Sequence, residues 1–186
     1  VALMRTIPGM TVIVPADDVE AKAAVRAAIE MEGPVYLRFG RAAVPVINDR
    51  PDYRFEIGKG VLLKEGTDVT IVASGITVAS ALEAAEMLAA DGISAEVINI
   101  HTIKPLDKDL IIASAKKTGK VVTAEEHSVI GGLGSAVCDC LSENHPTRVL
   151  KIGMQDVFGE SGTAAALIEK YGLDGKGIYA KVKEFV

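Results

Sequence analysis

The sequence predicts an α/β protein: a three-layer α/β/α sandwich on a mixed, mostly parallel five-stranded sheet, preceded by a β-α-β fragment of a separate unit. Three observations carry this. Short runs rich in β-branched residues alternate with longer amphipathic stretches along almost the whole chain. Most connections between strands are long enough to hold a helix, which makes those strands parallel. A polar stretch from Ala42 to Glu56, with Pro45, Pro51 and no apolar period, reads as a linker. The boundary is placed near Arg50, giving units 1–50 and 51–186.

The elements follow in order. Thr11 to Pro15 (TVIVP) is a β-branched strand. Asp17 is an N-cap with Glu20 as its capping-box partner, and Ala21, Ala24, Val25 and Ala28 form the buried side of a helix reaching about Glu32. Gly33-Pro34 stops it, and Pro34 to Arg38 reads as a buried parallel strand. Lys59 to Lys64 and Asp68 to Ala73 are strands whose loop, Glu65-Gly66-Thr67, is so short that antiparallel neighbours are expected. The first of them is expected at or near an edge. Thr77 to Ala90 carries Val78, Ala81, Leu82, Ala85, Leu88 and Ala89 on one helical face, and Gly92 ends it. Ala95 to Ile100 is a strand. Asp107 caps a helix that reaches Thr118 and is closed by Gly119. Lys120 to Ala124 (strand), Gly132 to Glu143 (helix) and Thr147 to Ile152 (strand) complete the sheet. Helices at about Thr163 to Tyr171 and Lys176 to Phe185 end the chain.

Composition narrows the function classes. The 186 residues are 49% hydrophobic and 24% charged, which supports a sizeable core. No apolar run reaches the ~18 residues of a membrane-spanning helix. A net charge of −5 argues against non-specific nucleic-acid binding. Cys138 and Cys140 lie two positions apart in one helical stretch, so they face different ways, which argues against a disulfide or a shared metal. Two free thiols point to a reducing cytoplasm. The chain opens on Val rather than Met, as expected of a processed or partial chain.

The candidate chemistry concentrates at strand ends. GPVYLRFGRAAVP, Gly33 to Pro45, is a strand that ends in Arg38 and Arg41. A guanidinium there presents a rigid fork of donors that suits phosphate or carboxylate; the other reading is a pair of surface ion-pair partners. The later strands end in Ser74-Gly75, His101-Thr102 and Glu125-Glu126-His127. These do not make a hydrolase: Ser74 lacks the Gly-x-Ser-x-Gly turn that exposes a nucleophile. His101 is expected to hydrogen-bond the loop ahead of Lys104-Pro105, and His127 is either a site residue or a packed interface histidine. VIGGLGSAV, Val129 to Val137, sits where a dinucleotide loop would, yet lacks the Gly-x-Gly-x-x-Gly spacing. Its small residues instead permit close approach to another backbone, a dimer contact being one option. FGESG, Phe158 to Gly162, is a turn before a helix, with Glu160 and Ser161 as possible caps.

Together the segments MRTIPGMTVIVPADDVEA, GPVYLRFGR, SAEVINIHTIKPLD, GKVVTAEEHSVIGGLGSAV and FGESG resemble the carboxyl-terminal part of the transketolase family of thiamine-diphosphate enzymes, over essentially the whole chain. The resemblance is strongest to a transketolase carboxyl-terminal section made as a separate polypeptide. 1-Deoxyxylulose-5-phosphate synthases, which carry a proline where this chain has Gly40, and the beta subunits of 2-oxo acid dehydrogenases are looser matches. The resemblance implies that residues 1–50 are the tail of a pyrimidine-binding domain plus linker, and 51–186 the transketolase carboxyl-terminal domain. It implies ketol transfer between sugar phosphates in the pentose phosphate pathway. Arg41 falls on the family's sugar-phosphate arginine; Arg38, His127, Glu125 and Glu126 are carried as possible interface or site-edge residues. The family's catalytic glutamate precedes the start of this chain. Thiamine diphosphate and its Mg2+ (or Ca2+) would therefore be held by other segments, and this chain alone would not be catalytically competent. The implied partners are an amino-terminal section or upstream segment, a second copy in a homodimer, and sugar phosphates. The competing reading is a dimerisation or docking module only.

Overall fold

The computed structural model describes residues 1–41 and 43–186. Ala42, at the start of the expected linker, lies outside the described residues. A short helix α1 (Ala2–Arg5) leads into β1 (Thr11–Ile13), α2 (Asp18–Glu30) and β2 (Val35–Leu37). After the linker come β3 (Val61–Lys64), β4 (Val69–Ala73), α3 (Thr77–Ala90), β5 (Ala95–Asn99) and β6 (Thr102–Lys104). Then follow α4 (Lys108–Thr118), β7 (Lys120–Ser128), α5 (Leu133–Asn144), β8 (Arg148–Met154), α6 (Ala164–Lys170) and α7 (Gly175–Phe185).

A five-stranded sheet has the order β3-β5-β4-β7-β8; every pairing in it is parallel except that of the edge strand β3 with β5. Residues on its two faces feed two cores, because side chains alternate along each strand. Val69, Ile71 and Ala73 pack with α3 and α7, while Val72 packs with α4 and α5. That is the three-layer sandwich read from the alternation of periods.

The strand order corrects one expectation. β3 and β4 are antiparallel in direction but are not neighbours, since β5 lies between them. The loop after β3 crosses the start of β5 at Gly66, where an added Cβ would stand 2.1 Å from the Glu96 nitrogen. Backbone nitrogens of Thr67 and Asp68 then donate to the Ser94 carbonyl at 3.0 and 2.9 Å. Only glycine lets the chain cross so closely, which is how a short loop spans two strand positions.

A second, three-stranded sheet has the order β2-β1-β6, with β2 parallel and β6 antiparallel to β1. β6 follows β5 after only Ile100 and His101, so one stretch of chain serves both sheets. β2 is half-buried rather than buried, as an edge strand is. The helix α2 differs from its expected face: Val25 and Ile29 are exposed, while Glu20 and Ala24 are buried.

Glu20 is buried because it wires the two sheets together. Asp17 caps α2 as expected, its Oδ1 accepting from the Glu20 nitrogen at 2.8 Å. Glu20 reaches back one residue further than a simple capping box, accepting from the Ala16 nitrogen at 2.6 Å. Its other oxygen accepts from the Tyr53 hydroxyl at 2.7 Å and Asn99 Nδ2 at 2.8 Å. Asp17 Oδ2 binds the linker backbone at Ile47 and Asn48, both at 2.8 Å. The linker is thus pinned by buried polar bonds.

Candidate functional site

Arg38 and Arg41 leave the carboxyl end of β2, and the loop that carries Arg41 is seated against the start of α3. A Cβ on Gly40 would stand 2.7 Å from Ile76 Cγ2, so glycine sets how near this loop lies to the larger sheet. The two arginines line a cleft of about 770 Å³ whose other walls are Ile76, Glu126, Met154 and the segment from Gly159 to Leu173. Ile76, Glu126 and Met154 lie at or just beyond the carboxyl ends of β4, β7 and β8. Ligands of open parallel sheets collect at that end.

Arg38 Nη1 lies 3.4 Å from Glu126 Oε2, and both side chains are partly exposed. Arg41 is exposed and, among the described residues, has no carboxylate within ion-pair distance. On the opposite wall Glu160 is held by Lys170, at 2.6 Å, and by the Tyr171 hydroxyl. Those two partners draw its carboxyl below the usual range, the lysine contributing most. Glu160 therefore does not cap α6; the Thr163 hydroxyl does, accepting from the Ala166 nitrogen at 3.3 Å. The wall from Gly159 to Leu173 was not assigned to the site from sequence, because only the tertiary fold brings it opposite β2.

The Glu125-Glu126-His127 run divides. Glu126 faces the cleft, while Glu125 is buried and turned toward α5, accepting from the Leu133 and Gly134 nitrogens at 2.7 and 2.8 Å. It caps that helix from a neighbouring strand, which satisfies two amides the helix leaves unpaired. Burial pushes its pKa up, against the pull of those two amides. His127 Nδ1 donates to the Ser128 carbonyl at 2.8 Å, which assigns the proton of the neutral ring to Nδ1. Burial holds its pKa below the ordinary value.

The glycines of the 129–137 segment serve this carboxylate. A Cβ on Gly132 would stand 2.0 Å from Glu125 Oε2. The close approach read from the small residues is thus made to side chains of the same chain. Arg5 clamps the loop from outside, Nη1 donating to the Gly131 and Gly132 carbonyls at 2.6 and 3.0 Å. No sequence spacing links residue 5 to residue 131, so that contact was not legible.

His101 is a packed residue. It is fully buried, with Nδ1 2.9 Å from Thr102 Oγ1 and its ring 4.4 Å from that of Phe55. Burial pushes its pKa down to about 4. Ser74 is buried as well.

An α/β/α sandwich is docked on a parallel β-α-β unit, with arginines from the smaller sheet facing the carboxyl edge of the larger across a cleft. Residues 58–178 match the family model for the transketolase C-terminal domain, and residues 1–46 that for the transketolase pyrimidine binding domain. The chain belongs to the transketolase family. It is 50% identical to the 6-deoxy-6-sulfo-D-fructose transketolase subunit of Clostridium sp. (strain MSTE9), covering 99% of this chain and 57% of that protein. It is 41% identical to the 1-deoxy-D-xylulose-5-phosphate synthase of Heliobacterium modesticaldum (strain ATCC 51547 / Ice1), covering 99% of this chain and 29% of that protein. A solved split-gene transketolase, described as an inactive beta4 tetramer, superposes with a TM-score of 0.91 at 55% identity, covering 98% of this chain and 59% of that one. The chain therefore spans a little over half the length of the transketolase relatives it matches.

Members of this family generally depend on thiamine diphosphate. The cleft does not fit that group's cation: its carboxylates, Glu126 and Glu160, are already paired with Arg38 and Lys170. Among the described residues no three His, Cys, Asp or Glu side chains cluster to hold a metal. No residue of this chain is assigned to the cofactor.

Proposed function

We propose that this chain is the carboxyl-terminal section of a thiamine-diphosphate-dependent transketolase that moves a two-carbon ketol unit between anionic sugars. Its partners in this reading are an amino-terminal section, which holds the cofactor with Mg2+ or Ca2+, and a second copy of this section. The reaction belongs to cytoplasmic carbohydrate metabolism of the pentose phosphate kind, a setting that the free thiols of Cys138 and Cys140 suit.

One observation carries the reading: Arg41 lines the cleft at the sheet junction and, among the described residues, has no carboxylate within ion-pair distance. An unneutralised guanidinium at a strand end is a ready partner for a sugar's anionic tail. The tail lies remote from the reacting carbons. Arg41 therefore binds ground state and transition state alike and fixes the sugar's orientation. Such a contact is worth about 2 to 4 kcal/mol. The sugar in the Clostridium relative's name, 6-deoxy-6-sulfo-D-fructose, carries a sulfonate tail, which the same guanidinium would hold.

A second reading, a relative of 1-deoxyxylulose-5-phosphate synthase, draws support from the 41% identity over the whole chain. Gly40 rather than proline before Arg41 counts against it. The deciding assay mixes the complete reading frame with its companion segment, thiamine diphosphate and magnesium. Transfer from xylulose 5-phosphate to ribose 5-phosphate supports the first reading. Condensation of pyruvate with glyceraldehyde 3-phosphate, without ketol transfer, supports the second.

A further inference from the structure

The cleft holds more charge than Arg41 alone. Arg38 and Arg41 line it with two positive charges and Glu126 and Glu160 with two negative ones, and Lys170 neutralises Glu160 by pairing with it. The net is one positive charge. Glu160 is fully occupied by Lys170 and Tyr171, so that pair is closed. The Arg38–Glu126 pair is different. Its separation of 3.4 Å is loose, each side chain is partly exposed, and both atoms face the same space as Arg41. Glu126 thus halves the positive field that two arginines would otherwise present to an anionic tail.

We infer that Glu126 is a specificity-determining residue which, through Arg38, sets the charge that the cleft accepts on a sugar's tail. The inference rests on the reading of Arg41 as the tail's anchor and adds to it a preference. One net positive charge neutralises a monoanion, such as a sulfonate or carboxylate, in full, and a phosphate dianion only by half. The Coulomb term scales with the product of charges. Adding one positive charge to the rim therefore multiplies affinity by some factor for a monoanion and by the square of that factor for a dianion. For a partly exposed rim group that factor is about three.

The test uses the assembled enzyme with two ketoses of one carbon skeleton, fructose 6-phosphate and its 6-deoxy-6-sulfonate counterpart. At about pH 8 the phosphate is a dianion and the sulfonate a monoanion. Glu126→Gln should lower KM about ninefold for the phosphate and about threefold for the sulfonate, so that selectivity moves about threefold toward phosphate. Arg38→Gln should move it about threefold the other way. The double variant Arg38→Gln/Glu126→Gln restores the net charge and should return selectivity to the wild-type value.

A selectivity that stays fixed in both single variants overturns the inference. So does a double variant that behaves like Arg38→Gln alone, for then Arg38 is a direct ligand and charge is not what is counted. Arg41→Ala in the same series separates this failure from a deeper one. If Arg41→Ala raises KM for both anionic ketoses while the Glu126 and Arg38 variants leave selectivity alone, the anchor stands and the charge preference falls. If Arg41→Ala leaves KM unchanged for both, the anchor falls and the preference with it.

Discussion

The five-stranded sheet and the junction that ties it to the three-stranded sheet are built from opposite materials. The sheet is held by apolar residues at regular periods, such as Ile71, Leu88, Val122 and Ile178, all fully buried. The junction is held by buried polar groups. Glu20, Asp17, Asn48, Asn99 and His101 are all buried there, and most of their partners are distant in sequence. Apolar burial tolerates small adjustments, because it is non-directional. A polar junction does not, since each donor or acceptor it loses is left unpaired away from water. The molecule thus has a self-contained apolar core and a junction tied by hydrogen bonds.

Single substitutions sharpen this contrast. Glu20→Ala removes the acceptor for the Ala16 nitrogen, the Tyr53 hydroxyl and Asn99 Nδ2 together. A loss of about 4 kcal/mol is expected in denaturant unfolding. Leu88→Ala in the sheet core should cost about 3 kcal/mol, through lost burial and a residual cavity. A Glu20 variant that proves clearly milder than the Leu88 variant would show that the junction contributes little, and would break the comparison.

The pH dependence of stability gives an effect no larger than these. His101 has a folded pKa of about 4 against an ordinary 6.5, because burial disfavours the imidazolium. A depressed value means that the unfolded chain binds the extra proton. Stability is therefore complete above about pH 6.5 and falls as pH drops from there toward 4. About 3 kcal/mol should be lost across that window, and His101→Gln should flatten the slope. Glu20 works in the other direction. Burial raises its pKa despite its hydrogen bonds, so its contribution is greatest in acid and fades as pH rises through that raised value. Thermal unfolding of wild type and both variants between pH 7 and pH 4 measures the two slopes separately. Equal slopes in all three proteins would contradict the junction's electrostatics.

Much of the sandwich was legible in the sequence because period and caps are local. Asp107 and Gly119 bound α4, and Thr77 to Ala90 is helical over the range its apolar face predicts. What was not legible depends on partners far along the chain. Antiparallel neighbours for β3 and β4 followed from loop length, yet Gly66 carries the loop over β5, and no local pattern records what a glycine must cross. β6 was not read as a strand, since its pairing partner lies about ninety residues earlier. Glu20 was read as half of a capping box, and its burial followed from Tyr53 and Asn99, which no spacing connects to it. At the site, the two arginines were visible as a strand ending in cations. The wall that faces them, from Gly159 to Leu173, was not.

The proposed function turns on Arg41 gripping the anionic tail of a sugar. The most direct measurement is the KM of Arg41→Ala, in the assembled enzyme, for a phosphorylated ketose and for the same ketose without its phosphate. A loss of about 2 to 4 kcal/mol corresponds to a KM raised roughly 30- to 800-fold for the phosphorylated sugar, with little change for the other. An equal change on both substrates, or none on either, contradicts the claim.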